Sequence, residues 1–483
     1  MIINTKTIIA SLLACMACPT LSVGATDGKA PQKEVYVTID PTKTRGEVSK
    51  MLTGVNMIYC FEADERWAGD PEQKMTGMLK RMKTGIIRYP GGAVVEAWHW
   101  NQPNGSFTED VWNSERNLSK EKTPEEYMDL EEYMQVIRAT GAEPLVGVNI
   151  SSGKLFKTVE DGLELARGLV RHCLDKNYGV KYYYVGNEPY HNGAKVRISA
   201  EQYAIEINRY AEAIHSVDPS AKIVANWDRK VASPSMKKLL RDAGKNIDLI
   251  DVHWYWNWGH ATWNNWLKQF PMNSSNQFYA DGLPHNEEIA RFNEVARELG
   301  MEHVKLCSLE WNVGPISKDG SEKWPTEFQC ALMQGEMLMQ FMDGGLEMAT
   351  FWPMSWPKNN EPRHMLDAKN NYKERCTPKL FEMMSPMLGG QLVKTESEGE
   401  LLYSVAVKDA EGNDVICILN KYPEWRKCHI KGLAASSNYT VYRYHQAKQK
   451  WTGQFTQIPL KKKGSKAETG LPPYSIIVVT NTK

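Results

Sequence analysis

Two glutamates at the ends of predicted strands are the residues of this sequence best suited to chemistry. Residues 182–190 begin with the aromatic and β-branched residues of a buried strand, and then continue as Gly186-Asn187-Glu188-Pro189, which must form a turn. A second strand-like run, residues 305–309, leads directly into Glu310. Two carboxyl groups facing each other across a cleft can break a glycosidic bond, because one protonates the leaving oxygen while the other attacks or activates water. For either glutamate alone, a charged strand end or a structural ion pair is the simpler alternative.

The elements that would position these glutamates alternate along the chain. Strand-like runs and amphipathic helix-like runs follow one another between residues 50 and 355, which predicts parallel βαβ units and, with eight strands, a (β/α)8 TIM barrel. Glu188 then follows the fourth strand and Glu310 the seventh, on opposite sides of the barrel mouth. The predicted strands are residues 52–58, 85–90, 143–150, 181–186, 222–226, 249–253, 305–309 and 348–352; the clearest helices are residues 71–83, 124–140, 159–176, 200–217, 235–244, 286–299 and 325–343.

The pattern changes near residue 385. Short strand-like runs at residues 401–408, 413–420, 439–445 and 474–480 are separated by turn residues, and no long helix lies between them. We therefore expect a barrel over residues 48–385 and an antiparallel β-sandwich over residues 386–483. A further strand within residues 33–47 precedes the barrel and is expected to join the β-sandwich.

The amino terminus has the features of a secretory signal. Lys6 precedes an apolar run too short to span a bilayer, and Val23-Gly24-Ala25 offers small residues for cleavage, so residues 1–25 are predicted to be a signal peptide. This predicts a secreted or periplasmic protein without a membrane span. Leu12-Leu13-Ala14-Cys15 loosely resembles a lipoprotein signal, although Leu13 fits poorly, and lipid anchoring is the less favoured alternative.

Composition narrows the class of partner. The 483 residues carry 58 Lys and Arg against 58 Asp and Glu, and a neutral chain has no electrostatic reason to bind nucleic acid. The sequence is rich in aromatic residues, with 16 Trp and 21 Tyr, and flat rings stack on the apolar faces of sugars. No Gly-rich phosphate loop or His-Glu-x-x-His motif is present, so neither a metal nor a cofactor is predicted.

Several residues at other predicted strand ends could complete a site. Arg88 ends the second strand and could keep Glu310 ionised, or form a structural ion pair. His253 and Tyr255 would alternate towards the cleft after the sixth strand, although a histidine at a strand end is often only a satisfied core residue. Trp352 ends the eighth strand as a sugar-stacking floor or as simple packing, and Asn149, after the third, is a weaker candidate for hydroxyl contacts.

These motifs resemble those of a known group of enzymes. Asn187-Glu188-Pro189 after the fourth strand, with Glu310 after the seventh, resembles the retaining glycoside hydrolases of clan A, which are (β/α)8 barrels. The resemblance implies that Glu188 is the acid/base, that Glu310 is the nucleophile and that Asn187 binds the sugar hydroxyl next to the reacting carbon. It also matches Tyr255 to a tyrosine that bonds the nucleophile.

Within that clan, two segments are similar to the family 51 α-L-arabinofuranosidases: residues 88–92, Arg-Tyr-Pro-Gly-Gly, and residues 310–313, Glu-Trp-Asn-Val. The second similarity places Trp311 among the expected substrate contacts. Pro189 departs from the pattern of that family, as does Ser308-Leu309 before the nucleophile, so the sequence matches the clan better than it matches the family.

The preferred hypothesis is a secreted retaining α-L-arabinofuranosidase that acts on plant polysaccharides or oligosaccharides without a cofactor. A β-glycosidase or endo-β-glycanase of the same clan is the first alternative, and a non-catalytic carbohydrate-binding barrel is the second. Residues 254–266 contain five tryptophans, which could form extra sugar subsites or a packed cluster under a long loop. The sequence leaves that choice open, together with the sugar, its linkage and the oligomeric state.

Overall fold

A computed structural model describes residues 33–68, 75–102, 110–112, 122–191, 193–273, 282–445 and 456–482 of the chain. The predicted signal peptide, residues 1–25, and Cys15 within it lie outside the described residues. Among the described residues, no helix combines the length and the apolar character needed to cross a bilayer.

The barrel predicted from the sequence is present and closed. Its eighth strand pairs with the first, Thr350 opposite Gly54, and also with the seventh, Met348 opposite Cys307. Buried side chains such as Tyr184 and Leu309 fill the barrel interior, so this is a packed core rather than a pore. The eight strands are Gly54–Asn56, Ile86–Tyr89, Glu143–Val148, Tyr182–Val185, Lys222–Asn226, Leu249–Asp251, Lys305–Val313 and Met348–Phe351; a short further strand, Trp254–Trp256, extends the sixth position beside the seventh strand.

Helices surround the barrel, and several of them begin at a capping residue. The helix Ala200–His215 begins where the Ser199 side chain accepts a hydrogen bond from the backbone N of Gln202, whose own side chain bonds back. The run predicted as one helix over residues 124–140 is interrupted, because Asp129 caps a new helix instead. The described α-helices are Asp64–Trp67, Met75–Arg81, Leu130–Thr140, Ser151–Leu155, Val159–Asp175, Ala200–His215, Pro234–Ala243, Trp263–Lys268, His285–Glu298, Glu327–Gly344 and Cys376–Met384.

The remaining strands form one mostly antiparallel sheet that folds over itself. The long strand Glu34–Glu47 connects its two halves: it pairs antiparallel with Gln391–Glu398 and parallel with Arg426–Lys431. Alternate side chains of both halves, Ile416 and Ile430 among them, enclose one apolar core. The other strands of this sheet are Leu402–Lys408, Asp414–Asn420, Thr440–Tyr444, Thr456–Pro459, Lys461–Lys463, Lys466–Leu471 and Ser475–Thr480, and a small separate hairpin is formed by Leu366–Asp367 and Lys373–Glu374.

The sheet packs against the barrel through a buried charged contact. Lys421, which follows the strand Asp414–Asn420, lies 3.5 Å from Glu336 on the helix Glu327–Gly344, and both side chains are fully buried. The ammonium group also lies 4.0 Å above the ring of Trp266, whose Nε1 donates to Glu336 Oε2 at 2.6 Å. The loop after the sixth barrel strand is therefore tied to the carboxy-terminal sheet.

Candidate active site

Glu188 stands at the mouth of the barrel on a strained turn. The fourth strand ends at Val185, and Glu188 adopts φ 42°, in the left-handed region that residues with side chains rarely occupy. The backbone N of Glu188 donates to Asn226 Oδ1 at 2.5 Å, and Ile198 N donates to Pro189 O at 2.8 Å. These contacts hold the turn, so the partly exposed carboxyl group is aimed across the strand ends.

Glu310 lies inside the seventh strand rather than after it, which corrects the predicted strand end at residue 309. The strand continues to Val313, and its pairing with the eighth strand shifts between Ala349 and Phe351, as in a β-bulge. Leu309 faces the barrel interior, and strict alternation would turn the next side chain outwards. The irregular register instead lets Glu310 face the mouth. β-Bulges beside active sites commonly redirect a side chain in this way.

The two carboxyl groups face each other with a histidine between them. One oxygen of Glu188, one of Glu310 and a ring nitrogen of His253 all lie within 4.8 Å of one another. His253 Nδ1 is 2.8 Å from Glu188 Oε1 and 3.5 Å from Glu310 Oε2, while Nε2 is 3.1 Å from Asp251 Oδ2. The imidazole is fully buried, and its distances to both glutamates make it a member of the site rather than a core residue remote from it.

The charges around His253 set the protonation of this cluster. Burial works against a charged imidazole, but Glu310, Asp251 and Glu188 outweigh it and raise the pKa of His253 to about 10. Burial likewise opposes ionisation of Glu188, yet the hydrogen bond and charge of His253 lower the pKa of Glu188 to about 2. The free site therefore stores one proton on His253, at hydrogen-bond distance from the Glu188 oxygen.

Glu310 is held from two sides. Arg88 donates from Nη1 to Glu310 Oε1 at 3.0 Å, and the Tyr255 hydroxyl donates to Oε2 at 2.8 Å. Burial raises the pKa of Glu310, while the charges of His253 and Arg88 oppose that rise and favour the ionised carboxylate. Arg88 also donates from Nη2 to Asn187 Oδ1 at 2.8 Å, so one guanidinium orients both residues.

Trp352 lies at the rim, half-buried, beside the residues that follow the second strand. A Cβ atom on Gly92 would lie 2.3 Å from the Trp352 ring, so only glycine permits this close approach. Asn312 donates from Nδ2 to the Trp352 backbone O at 2.9 Å and fixes the segment. Gly92 and Asn312 thus fix Trp352 at the rim, and its role as a sugar-stacking floor stays a prediction.

Two predicted site residues have side chains that are engaged by other parts of the protein. Trp311 points away from the barrel axis and is fully buried; its indole stacks on Phe381 with ring centroids 5.7 Å apart and packs edge-on against Phe341 at 5.0 Å. The Asn149 side chain bonds to nearby backbone groups: its Oδ1 accepts from Ser151 N at 2.9 Å, and its Nδ2 donates to the Trp98 backbone O at 3.1 Å. Trp311 points outwards because side chains alternate along a strand. Asn149 bonds locally because it accepts from the first backbone N–H groups of the short helix Ser151–Leu155.

The structure adds residues that the sequence did not single out. Fully buried Asp251 accepts from Leu309 N at 2.6 Å and from Asn226 Nδ2 at 2.7 Å, and so links the sixth strand to its neighbours. Glu96, in the loop after the second strand, has its pKa raised to about 7, chiefly by burial and further by the charge of Glu188. A polar residue at a strand end was the available signal for Asp251; none marked Glu96.

The trio of Glu188, His253 and Glu310 was also tested as a metal site. The three possible donor atoms all lie within 4.8 Å of one another, so their spacing alone does not decide between a metal ion and a shared proton. His253 Nδ1 faces Glu188 as a donor, and the raised pKa of His253 keeps the ring cationic, which disfavours a metal ion on the same nitrogen. The chemistry of this donor set therefore suits a shared proton better than a metal ion.

The chain is similar in sequence to several arabinofuranosidases. No family model matches the chain. It is 22% identical over 357 residues to the intracellular exo-α-(1→5)-L-arabinofuranosidase 1 of Bacillus subtilis, covering 64% of this chain and 67% of that protein. The probable α-L-arabinofuranosidase C of Aspergillus fumigatus is 24% identical over 197 residues, or 37% of this chain and 38% of the relative, so the chain matches well under half the length of that fungal protein.

The fold agrees over a much longer stretch than the sequence. The crystal structure of the α-L-arabinofuranosidase from Thermotoga maritima in complex with arabinose superposes with a TM-score of 0.68, covering 92% of this chain and 99% of that chain at 18% identity. The barrel followed by a mostly antiparallel sheet is therefore an architecture found in known arabinofuranosidases.

Proposed function

We propose that this protein is a retaining glycoside hydrolase that removes α-L-arabinofuranosyl groups from plant polysaccharides or oligosaccharides. The observation that carries the proposal is the pair of Glu188 and Glu310 at the barrel mouth, with an oxygen of one within 4.8 Å of an oxygen of the other. Carboxyl groups about 5–5.5 Å apart suit double displacement, whereas inversion leaves about 6.5–9.5 Å for an intervening water. The short separation supports retention.

In this mechanism Glu310 attacks the anomeric carbon while Glu188 gives a proton to the departing oxygen. A covalent glycosyl-enzyme forms and the aglycone leaves as an alcohol. Glu188 then takes a proton from water, whose oxygen displaces the Glu310 carboxylate and releases the sugar with its original configuration. The second half reaction returns to Glu188 the proton that the first one used, so the cycle closes without a cofactor.

The contacts of the site fit these roles. Arg88 and Tyr255 direct hydrogen bonds at the two oxygens of Glu310, which favours the ionised form that a nucleophile requires. The proton that Glu188 must deliver is held by His253 at 2.8 Å, and its transfer along that bond yields a neutral carboxylic acid and a neutral imidazole. Asn187, oriented by Arg88, is the residue to bond the adjacent sugar hydroxyl.

The choice of sugar rests on similarity to the arabinofuranosidases of B. subtilis and T. maritima, together with the Arg-Tyr-Pro-Gly-Gly segment at residues 88–92. Because one barrel fold hosts many glycosidases, the competing proposal is a β-glycosidase or endo-β-glycanase with the same two glutamates. A carbohydrate-binding barrel without activity would bind the glycan and release no product.

The test compares Glu188→Ala and Glu310→Ala with wild type on aryl α-L-arabinofuranosides, β-xylosides, β-galactosides and β-glucuronides. Glu206→Gln is the matched control, since Glu206 is buried in a helix outside the barrel and bonds Lys154 at 2.7 Å. Both alanine variants should lose turnover. Added azide should restore it, with a retained glycosyl azide from Glu188→Ala and an inverted one from Glu310→Ala.

Wild-type turnover in either alanine variant without azide would contradict the assignment, and preference for a β-glycoside would select the competing substrate. Proton NMR of the first product anomer tests retention independently. Glycan binding with no product over long incubation would favour the non-catalytic alternative.

We further propose that residues 1–25 direct export, and that the mature enzyme is secreted or periplasmic. Expression of the full chain in a bacterial host, followed by fractionation and amino-terminal sequencing, should give an extracytoplasmic protein that starts near residue 26. A full-length protein confined to the cytoplasm would contradict export. Recovery in the membrane fraction that is lost in Cys15→Ala would instead indicate lipid attachment.

A further inference from the structure

The tryptophan-rich loop after the sixth barrel strand is largely a packed cluster. Three of its five indoles are buried, and a fourth, Trp263, is half-buried against Trp266 and Tyr474, with ring centroids 4.6 and 5.3 Å apart. The fifth, Trp258, keeps 40% of its surface exposed. The loop therefore presents one indole to solvent. The three buried members are Trp254, Trp256 and Trp266.

The backbone holds Trp258 in place. Its neighbours Asn257 and Gly259 both have positive φ, 51° and 87°, so a tight turn pushes the residue between them outwards. Gly259 N donates to Pro315 O at 2.9 Å, which anchors the turn to the segment after the seventh strand. An exposed aromatic ring that is already fixed loses little conformational entropy when a ligand stacks on it.

Trp258 is one ring away from the nucleophile. Its indole lies edge-to-face on Tyr255, with ring centroids 5.1 Å apart and an interplanar angle of 84°, and the Tyr255 hydroxyl donates to Glu310 Oε2 at 2.8 Å. Tyr255 itself is buried. A single ring, that of Tyr255, therefore separates the exposed indole of Trp258 from Glu310.

We propose that Trp258 is the stacking platform for the sugar unit next to the one whose bond is broken. The C–H face of a sugar ring packs on an indole, while the ring hydroxyls stay in water. The substrate class that follows is a glycan of at least two units rather than a simple glycoside. This inference rests on the proposed function, and it assigns Trp258 a binding role rather than a catalytic one.

The experiment measures kcat/KM on two substrates of the sugar that wild type hydrolyses: its methyl glycoside, which has no second ring, and its linear trisaccharide. Trp258→Ala should lower kcat/KM on the trisaccharide by about tenfold, equivalent to about 1.4 kcal/mol, and leave the methyl glycoside within about twofold of wild type. Trp258→Leu keeps an apolar side chain without a flat face and should behave like Trp258→Ala, whereas Trp258→Tyr should recover most of the loss.

Trp425→Ala is the matched control, because Trp425 is 42% exposed but lies in the carboxy-terminal sheet domain, next to Arg443. This variant should leave kcat/KM unchanged on both substrates. Equal losses on both substrates in the Trp258 variants would mean a structural role, and no loss on the trisaccharide would mean no stacking; either result overturns the inference. If wild type hydrolyses neither substrate, the proposed function has failed and the inference fails with it.

Discussion

Replacing Asn226 with alanine should disable Glu188 without touching its carboxyl group. Asn226 Oδ1 accepts the Glu188 backbone N–H at 2.5 Å and holds that residue at φ 42°. A residue with a side chain held in this region costs about 1–3 kcal/mol, which must be offset by such contacts. Without the acceptor, the turn can relax and carry the carboxyl group away from His253.

The expected magnitude follows from the lost bond. A buried donor left without its partner costs about 1–3 kcal/mol, which corresponds to about 5- to 150-fold fewer molecules with Glu188 in position. This loss should appear where proton donation limits the rate. Asn226→Ala should therefore reduce kcat/KM by that factor on a phenyl glycoside, whose leaving oxygen needs a proton, and far less on a dinitrophenyl glycoside, whose leaving group does not.

Asn420→Ala is the control for loss of a buried asparagine. Asn420 is fully buried in the carboxy-terminal sheet and donates to the Pro472 backbone O at 2.6 Å. It should lower the free energy of unfolding without changing the ratio of the two rates. If Asn226→Ala slows both substrates equally, or slows neither, the argument that Asn226 holds the acid in place is refuted.

Three further results are expected. Arg88→Lys keeps a positive charge but cannot bond Glu310 and Asn187 at the same time. A lost charged hydrogen bond of about 1.5–3 kcal/mol should lower kcat/KM by roughly 10- to 150-fold. Unchanged steady-state kinetics would contradict the role of Arg88 in holding Glu310. Lys421→Met leaves the Glu336 carboxylate buried without its positively charged partner, so the free energy of unfolding in urea should fall by about 3–5 kcal/mol. Adding Glu336→Gln to this variant should recover part of that loss rather than increase it. Burial lowers the pKa of His285 to about 4, so between pH 6.5 and pH 4 the unfolded chain binds more protons than the folded one. The free energy of unfolding should therefore fall by about 3 kcal/mol as the pH is lowered through this range. His285→Gln should remove that part of the pH dependence.

The strand-and-helix alternation could be predicted because hydrophobic periodicity is a local property. All eight barrel strands appear where strand-like runs were found, and the helix Val159–Asp175 ends within one residue of its prediction. Errors occur where a local signal competes with another, as at Asp129, whose capping box begins a new helix inside a run predicted to be continuous. Capping is visible in the sequence, but its precedence over the preceding helical run is not.

The candidate site was predictable as a set of strand ends but not as a network. His253 was weighted lightly from the sequence, yet it lies between both glutamates. Trp311 was included because residues 310–313 are similar to a family 51 segment, yet it packs on Phe381 outside the barrel. Asn226 and Asp251 belong to the fifth and sixth strands, and nothing local shows that they meet Glu188 and His253.

The sequence by itself determined that a carboxyl group would stand at the fourth strand end and another near the seventh, since strand order around a barrel follows chain order. Only the tertiary structure decided that Glu310 faces the cleft. The preceding Leu309 points into the barrel, and the irregular pairing with the eighth strand is what lets Glu310 face the mouth as well. The direction of a side chain at a bulge depends on the register of the partner strand, which lies about forty residues away in the chain and is not written in the local pattern.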